Sequence, residues 1–336
     1  MIQVENLTKI YGDTTAVRGV SFGVAKGEIL GFLGPNGAGK STTMRILTGF
    51  MPPTDGRATI GGFDVTKESR QVRRLLGYLP ESAPVYGEMT VRDYVGFFAE
   101  VKGIGGSSRR SAVDQALEEC GLDKVGHRLL MNMSKGYRQR AGLAQAVVGD
   151  PQVLILDEPT VGLDPSQIRE VRSLIRGMAG RRTVILSTHI LPEVSLTCSQ
   201  VAIINQGRIV ASGTPESIQA RANLANNLVL LIRGNRSSVK SLLEKVPQVS
   251  KVDCSDPLLH GSENASPEKQ IHEFTVAVRK QYDLRAELSR TVIEGGFDLL
   301  EVRSMGLSLE DIFIQTVTGE NVDEPLPEHQ LTEAKE

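Results

Sequence analysis

Residues 34–42 read Gly34-Pro35-Asn36-Gly37-Ala38-Gly39-Lys40-Ser41-Thr42, which fits the spacing G-x-x-x-x-G-K-[ST]. Glycines at these steps let backbone N–H groups turn inward around phosphate oxygens. Lys40 brings positive charge to the β- and γ-phosphates, and the Ser41 hydroxyl suits a Mg²⁺ ion. Further along, "QVLILDE" (152–158) ends an apolar run in two acids. Asp157 suits Mg²⁺ or its waters, and Glu158 can polarise an attacking water. Taken alone, either acid could cap a helix; the phosphate loop earlier in the chain favours chemistry. "STH" closes a third apolar run and puts His189 at a strand end. A neutral imidazole there can bond a γ-phosphate or the water that attacks it.

"MSKGYRQR" (133–140) places small and basic residues directly ahead of the apolar run "AGLAQAVV". Ser134 there is either an ordinary helix N-cap or part of a second anion site. In the second case its hydroxyl, the close approach allowed by Gly136 and the helix dipole would all face an anion.

Positioning these groups needs strands that end at one edge of a sheet. "EILGFL" (28–33) reads as a short strand and "KSTTMRILTG" as a helix closed by Gly49. "VLILD" and "TVILST" are continuous apolar runs, as expected of strands buried on both faces. The start alternates like paired strands, "IQVENLTKIY" then "AVRGVSFGV", and "VAIINQGRIVASG" reads as a hairpin turning at Asn205–Gly207. Residues 85–150 are mostly helical in pattern. Together these predict an α/β domain with a largely parallel core sheet over residues 1–219, carrying a helical subdomain at about 85–150. From 220 to 319 the order is β-α-β-β-α-β, a split βαβ unit of α+β type, with a polar loop between its middle strands and a last helix at "LEDIFIQTVTG". The acidic tail, 320–336, is expected to be disordered.

Composition bounds the partners. The chain has 336 residues, 38 basic and 40 acidic, for a net charge of −2, so no polyanion-binding surface is implied. Three scattered cysteines show no metal-ligand spacing and fit reduced thiols in a cytosolic compartment. No leader peptide is read at the start, and no run of about 18 apolar residues would span a membrane.

The phosphate loop, "MSKGYRQR", "VLILDEPT", "GLDP" and "STH", in this order, resemble the ATP-binding cassette (ABC) transporter ATPases, within the P-loop NTPase fold. The resemblance covers residues 1–215 and implies ATP and Mg²⁺ as ligands. It implies that Tyr11 stacks on adenine, with a strand-end core tyrosine as the alternative. It also implies that residues 34–42 with Asp157 bind ATP, that Glu158, His189 and Glu81 are catalytic, and that Ser41, Asp157 and Glu81 hold Mg²⁺. Ser134, Lys135, Gly136 and Tyr137 would form the signature motif, which contacts ATP held by the other subunit of a head-to-tail dimer. Asp164 would link the two sites across that dimer, or serve only as a turn acid before Pro165. Two departures from the family pattern matter: Met133-Ser134-Lys135-Gly136-Tyr137 stands where Leu-Ser-Gly-Gly-Gln is usual, and Glu81 stands where a glutamine is usual. Both changes, and the C-terminal unit, resemble the exporter-type branch of drug-resistance, copper-site-maturation and gliding-motility systems. The expectation is a cytoplasmic ATPase subunit, in a homodimer or heterodimer, at the inner face of the membrane through separate permease subunits, with no nucleic acid. The rivals are a soluble cassette ATPase acting on ribosomes or DNA, and a regulatory module that binds nucleotide without hydrolysing it.

Overall fold

The structure, a computed structural model, describes residues 1–82, 85–222, 227–255, 270–278 and 284–305. The polar loop after Ser255, the helix expected at "LEDIFIQTVTG" and the acidic tail lie outside these residues.

The chain divides into two compact units with the boundary at Pro215/Glu216. In the first, β1 (Ile2–Tyr11), β2 (Thr14–Val24) and β3 (Ile29–Leu33) precede α1 (Lys40–Leu47). Then come β4 (Asp55–Ile60), β5 (Phe63–Asp64), α2 (Ser69–Leu75) and β6 (Leu76–Leu79). A helical stretch comes next: α3 (Val91–Val101), α4 (Gly106–Glu119) and α5 (Lys135–Val147), with two short 3₁₀ turns between the last two. After it are β7 (Val153–Asp157), α6 (Pro165–Arg176), β8 (Thr183–Thr188), α7 (Leu191–Thr197), β9 (Gln200–Asn205) and β10 (Arg208–Gly213). α8 (Pro215–Ala222) runs through the boundary expected at 219/220, so the division falls at the start of this helix.

Two sheets build the first unit. One has the order β2-β1-β4-β5 and is antiparallel. The other has the order β10-β9-β3-β8-β7-β6; its strands from β9 to β6 pair in parallel, and β10 is antiparallel at the edge. β3, β7 and β8 are buried at every residue, which explains their unbroken apolar runs. The core between the sheets and α1 includes Phe32, Met44, Ile46, Ile155 and Ile185. Each such side chain contributes about 1.5–3 kcal/mol on burial.

Local signals end the helices where the sequence places them. α1 stops at Thr48, and Gly49 takes the left-handed φ of 70° while donating to the Ile46 carbonyl at 3.0 Å. Thr90 caps α3, accepting from the Asp93 N–H at 3.1 Å.

The second unit holds β11 (Asn227–Arg233), α9 (Arg236–Leu243), β12 (Val249–Cys254), β13 (Ile271–Val278), α10 (Arg285–Glu294) and β14 (Asp298–Met305). Its sheet order, β12-β13-β11-β14, is fully antiparallel. That is the split βαβ arrangement, with Leu230, Phe274 and Val276 in the core beside Leu288 and Val292 of α10. β13 alternates strictly, and its buried side carries an outlier, His272. Both ring nitrogens of His272 are buried without a hydrogen-bond partner, and the ring meets Phe274 edge-on.

Burial, with Arg236 nearby, pushes the His272 pKa below its ordinary value. The neutral ring is therefore favoured by folding. The stability this gives is full above about pH 6.5, the unfolded value, and is lost as pH falls toward the folded one. Amide exchange in β13, corrected for intrinsic rates, should be faster at pH 5 than at pH 7.5 in the wild type, and this difference should shrink in His272→Phe. Equal protection at both pH values in the wild type would refute the assignment.

Candidate active site

The site begins with strand register. In the parallel sheet Leu33 of β3 lies opposite Thr188 of β8, and Asp157 of β7 opposite Ser187. Three neighbouring strands thus end together, and each leads into polar residues: the phosphate loop after β3, Glu158 after β7 and His189 after β8. Two backbone bonds lace the ends. Gly34 N–H donates to the Thr188 carbonyl at 3.3 Å, and Glu158 N–H to the Ser187 carbonyl at 2.9 Å.

The loop glycines have different reasons. Gly37 and Gly39 have φ of 80° and 106°, where L-residues are strained. A Cβ on Gly39 would also stand 2.5 Å from the Ala16 carbonyl oxygen, and one on Gly34 would strike the Ile204 carbonyl oxygen. The loop is therefore pressed against β2 and β9, and only bare backbone fits.

Lys40 is buried at the first turn of α1. Its Nζ donates to the carbonyls of Gly34 at 2.8 Å and Pro35 at 3.2 Å, and lies 3.3 Å from Glu158 Oε1. The other carboxylate oxygen, Glu158 Oε2, is 2.9 Å from His189 Nδ1. Glu158 is only 5% exposed and holds a left-handed backbone, φ 50°. A single buried carboxylate thus bridges the ammonium and the imidazole. Removing one partner of such a pair leaves a buried charge uncompensated, a cost of about 3–5 kcal/mol.

Asp157 lies beneath, 2% exposed, and its Oδ1 has no hydrogen-bond partner. Burial pushes its pKa up; the Ser187 and Ser41 hydroxyls nearby oppose this, and the charges of Glu158 and Glu81 add to it. The unsatisfied carboxylate oxygen, the Ser41 hydroxyl and Glu81 supply the hard oxygen donors that Mg²⁺ takes. Among the described residues no group of three or more His, Cys, Asp or Glu could hold a metal ion. The donor set fits an ion that draws its other ligands from water and phosphate.

A cavity of about 410 Å³ opens over this floor, lined by Asn36, Gly37 and Gly39 to Thr42, and by Glu81, Glu158 and His189. Ala16 and Val161 also line it. Sequence pattern does not single them out, since nothing in an alanine or a valine marks a site.

The remaining expected residues stand elsewhere on the chain. Tyr11 is half exposed at the end of β1, outside the cavity lining, its hydroxyl 2.8 Å from Met51 Sδ and its ring 5.4 Å from Lys9 Nζ. Ser134 caps α5, accepting from Tyr137 N–H at 3.4 Å. Lys135 reaches over Gly162, where any Cβ would collide with its Nζ. A Cβ on Gly136 would stand 2.6 Å from the Gln167 side chain. The Tyr137 ring carries the Arg140 guanidinium at 4.2 Å. Asp164 caps α6, accepting from the N–H groups of Ser166 and Gln167 at 2.9 and 3.0 Å. The Ser166 hydroxyl, with these N–H groups, holds its carboxyl below the usual range. One chain therefore does not bring Ser134 to Tyr137, or Asp164, to its own cavity.

A phosphate loop between β3 and α1, an acid pair closing β7 and a histidine closing β8, on a mainly parallel sheet, define a P-loop nucleoside triphosphatase. Comparison with known proteins narrows the class. The "ABC transporter" family model matches residues 17–161, and an AAA-domain model matches residues 128–196. "Bacitracin transport ATP-binding protein BcrA" of Bacillus licheniformis is 32% identical over 321 residues, 95% of this chain and 98% of that one. "Probable multidrug ABC transporter ATP-binding protein YbhF" of Escherichia coli is 36% identical over 223 residues, 66% of this chain; that match spans only 38% of the relative's length. The solved structure of cbiO1 from Clostridium perfringens, part of the ABC transporter complex cbiONQ, is 30% identical with a TM-score of 0.60, covering 66% of this chain and 94% of that one. The chain belongs to the ABC transporter family, as one of its ATP-binding proteins.

Gly39→Ala should lose stability and nucleotide binding together, because its Cβ meets backbone as well as an unfavourable φ. Gly37→Ala, with nothing within 4 Å of its Cβ, meets only the φ penalty of about 1–2 kcal/mol. Melting temperatures and binding of a fluorescent ADP analogue compare them; equal losses would contradict the packing argument.

Proposed function

We propose that this chain is the ATP-hydrolysing subunit of an ABC transporter, of the exporter type, which drives transport through separate membrane subunits. The observation that carries this reading is the Lys40–Glu158–His189 chain on the floor of the cavity, its ion pair buried and its imidazole open to the cavity side. It sets a phosphate-binding cation, a base and an imidazole within one hydrogen-bonded line.

ATP would lay its β- and γ-phosphates along residues 34–42, with Lys40 Nζ as their cation. Asp157, Ser41 and Glu81 would hold Mg²⁺, which when bound would supply charge neutralisation at the phosphates. Glu158 accepts a proton from the attacking water; the water oxygen bonds to the γ-phosphorus and the bond to the β-phosphate oxygen breaks. The His189 imidazole holds the Glu158 carboxylate by its Nδ1 and leaves its other nitrogen for the γ-phosphate or the water. Tyr11 would stack on adenine. Ser134 to Tyr137 would serve the ATP of a partner subunit, and Asp164 would lie at that dimer face.

Partner surfaces also support the reading. No helix among the described residues is long and apolar enough to cross a membrane. The helical stretch exposes Tyr86, Phe97 and Met131, at 46%, 39% and 59%. Tyr86 and Phe97 stack edge-on at 6.1 Å, and Met131 donates its N–H to the Gly87 carbonyl, so these residues form one patch. An exposed apolar cluster of this kind suits docking, here with a permease at the inner face of the membrane.

Glu158→Gln tests the assignment. Hydrolysis should fall by about 10²–10⁴-fold, the usual contribution of a positioned base. ADP affinity should stay equal or rise, because Lys40 no longer has an anionic partner to give up. Phosphate release and ADP titration measure the two. Wild-type hydrolysis in Glu158→Gln would remove Glu158 from the role of base, and a wild-type protein that releases no phosphate from ATP would overturn the ATPase reading.

A further inference from the structure

Glu193 has no part in the proton transfer or the phosphate contacts of hydrolysis. It sits in the first turn of α7 and is 3% exposed, a carboxylate sunk beside the active site. Its Oε2 accepts from Thr188 Oγ1 at 2.9 Å, and its Oε1 accepts a short hydrogen bond from Thr160 Oγ1. Both threonines are themselves buried, at 0% and 3% exposure. Thr188 directly precedes His189, and Thr160 lies two positions beyond Glu158. One carboxylate therefore ties together the two segments that carry the Glu158–His189 pair.

The chemistry of the knot requires a carboxylate. Both hydroxyls donate, so the central group must accept twice, once on each oxygen. An amide has one accepting oxygen, and its NH₂ would turn one threonine into an acceptor. Thr188 Oγ1 already accepts from the Ile190 N–H at 3.1 Å, so its own proton would be left without a partner. The need for a knot is visible in Glu158. Its left-handed backbone is unfavourable for a residue with a side chain, and such conformations persist only where the surroundings over-determine them. The Glu158 N–H bond to Ser187 fixes the near side of the turn, and the Thr160 bond fixes the far side.

We propose that Glu193 is a positioning residue for hydrolysis: it touches neither nucleotide nor water, but sets the approach of Glu158 to His189. This rests on the reading of Glu158 as the base. The contact pattern predicts a separation of effects. The phosphate loop lies on β3 and α1 and has no bond to Glu193, so nucleotide affinity should be spared while turnover falls.

In Glu193→Gln the kcat at saturating Mg-ATP should drop about ten- to hundred-fold, with the Kd for ADP within about two-fold of wild type. Thr160→Val and Thr188→Val, which keep shape and lose the hydroxyl, should each show the same split. Thr160→Ser and Thr188→Ser, which keep the hydroxyl, should stay near wild type. Glu193→Gln combined with Thr160→Val should be no worse than the more damaging single variant, because both break one knot. A kcat for Glu193→Gln within two-fold of wild type overturns the proposal, as does a loss of ADP binding in step with activity in the valine variants. Should Glu193→Gln fail to fold, the valine variants decide: lost turnover with ADP binding kept supports the knot, and wild-type turnover in both overturns it. Failure of the functional reading looks different, because then the wild type releases no phosphate or Glu158→Gln turns over normally. The His189 ring signals in NMR are independent of hydrolysis: they should move in Glu193→Gln, and unchanged signals count against the proposal.

Discussion

The structure depends on one alignment: the carboxyl ends of β3, β7 and β8 fall level in a parallel sheet. These strands are buried on both faces, so no charge can be tolerated along them. Polar chemistry first becomes possible at their last residues. There Asp157, Glu158, His189 and the phosphate loop emerge together, separated widely in sequence and by a few ångströms in space. The apolar runs and the site have one cause, since the same burial that keeps the strands apolar pushes the charged groups to the rim, where one another's charges can compensate them.

At that rim the electrostatic balance is tight. Lys40 and Glu158 are both nearly inaccessible and share one ion pair. A phosphate arriving in the loop competes with Glu158 for the same ammonium. Its negative charge both replaces the partner Lys40 loses and sets Glu158 free to face water. Under the proposed reading the base is thus held in reserve by the cation that later binds the substrate. Asp157 contributes in the same way. Its raised pKa and unsatisfied Oδ1 are the marks of a carboxylate prepared for a cation the protein alone does not supply.

Much of this was legible in the sequence, for reasons that differ by element. "VLILD" and "TVILST" declared themselves because burial on both faces leaves an unbroken apolar run. "VAIINQGRIVASG" did so because its turn needs Gln206 and Gly207 at positive φ, which a polar residue and a glycine can take. α8 hid the unit boundary, because "PESIQARA" is an ordinary helix with no break in composition. β4 opens on the exposed "DGR" and buries only Ala58 and Ile60, and β5 has just two residues, so neither shows a period. Glu193 was invisible for a deeper reason. Its partners lie five and thirty-three residues away, and its role depends on two threonines that only the fold brings within reach. The glycines of the loop were read for their conformational freedom, but Gly34 is glycine chiefly because Ile204 passes so close.

The residues that stay outside the cavity are joined to one another. Lys135 lies over Gly162, and Gly136 packs on Gln167, whose N–H is capped by Asp164. The start of α5 and the start of α6 therefore form one block. Ser134 accepts from Tyr137 N–H, which leaves its O–H proton for another acceptor, and the first N–H groups of a helix have no partner within it. Under the proposed reading, such a surface would serve a second subunit's ATP. The block continues inward, from Gly162 through Val161 and Thr160 to Glu193 and the Glu158–His189 pair. A phosphate drawing on Ser134 from outside would thus press on the segment that positions this chain's own base. The two sites of a dimer would be linked by a short packed loop, with no long-range rearrangement needed, and the stiffness of the Thr160–Glu193–Thr188 knot would set how much of that pressure arrives.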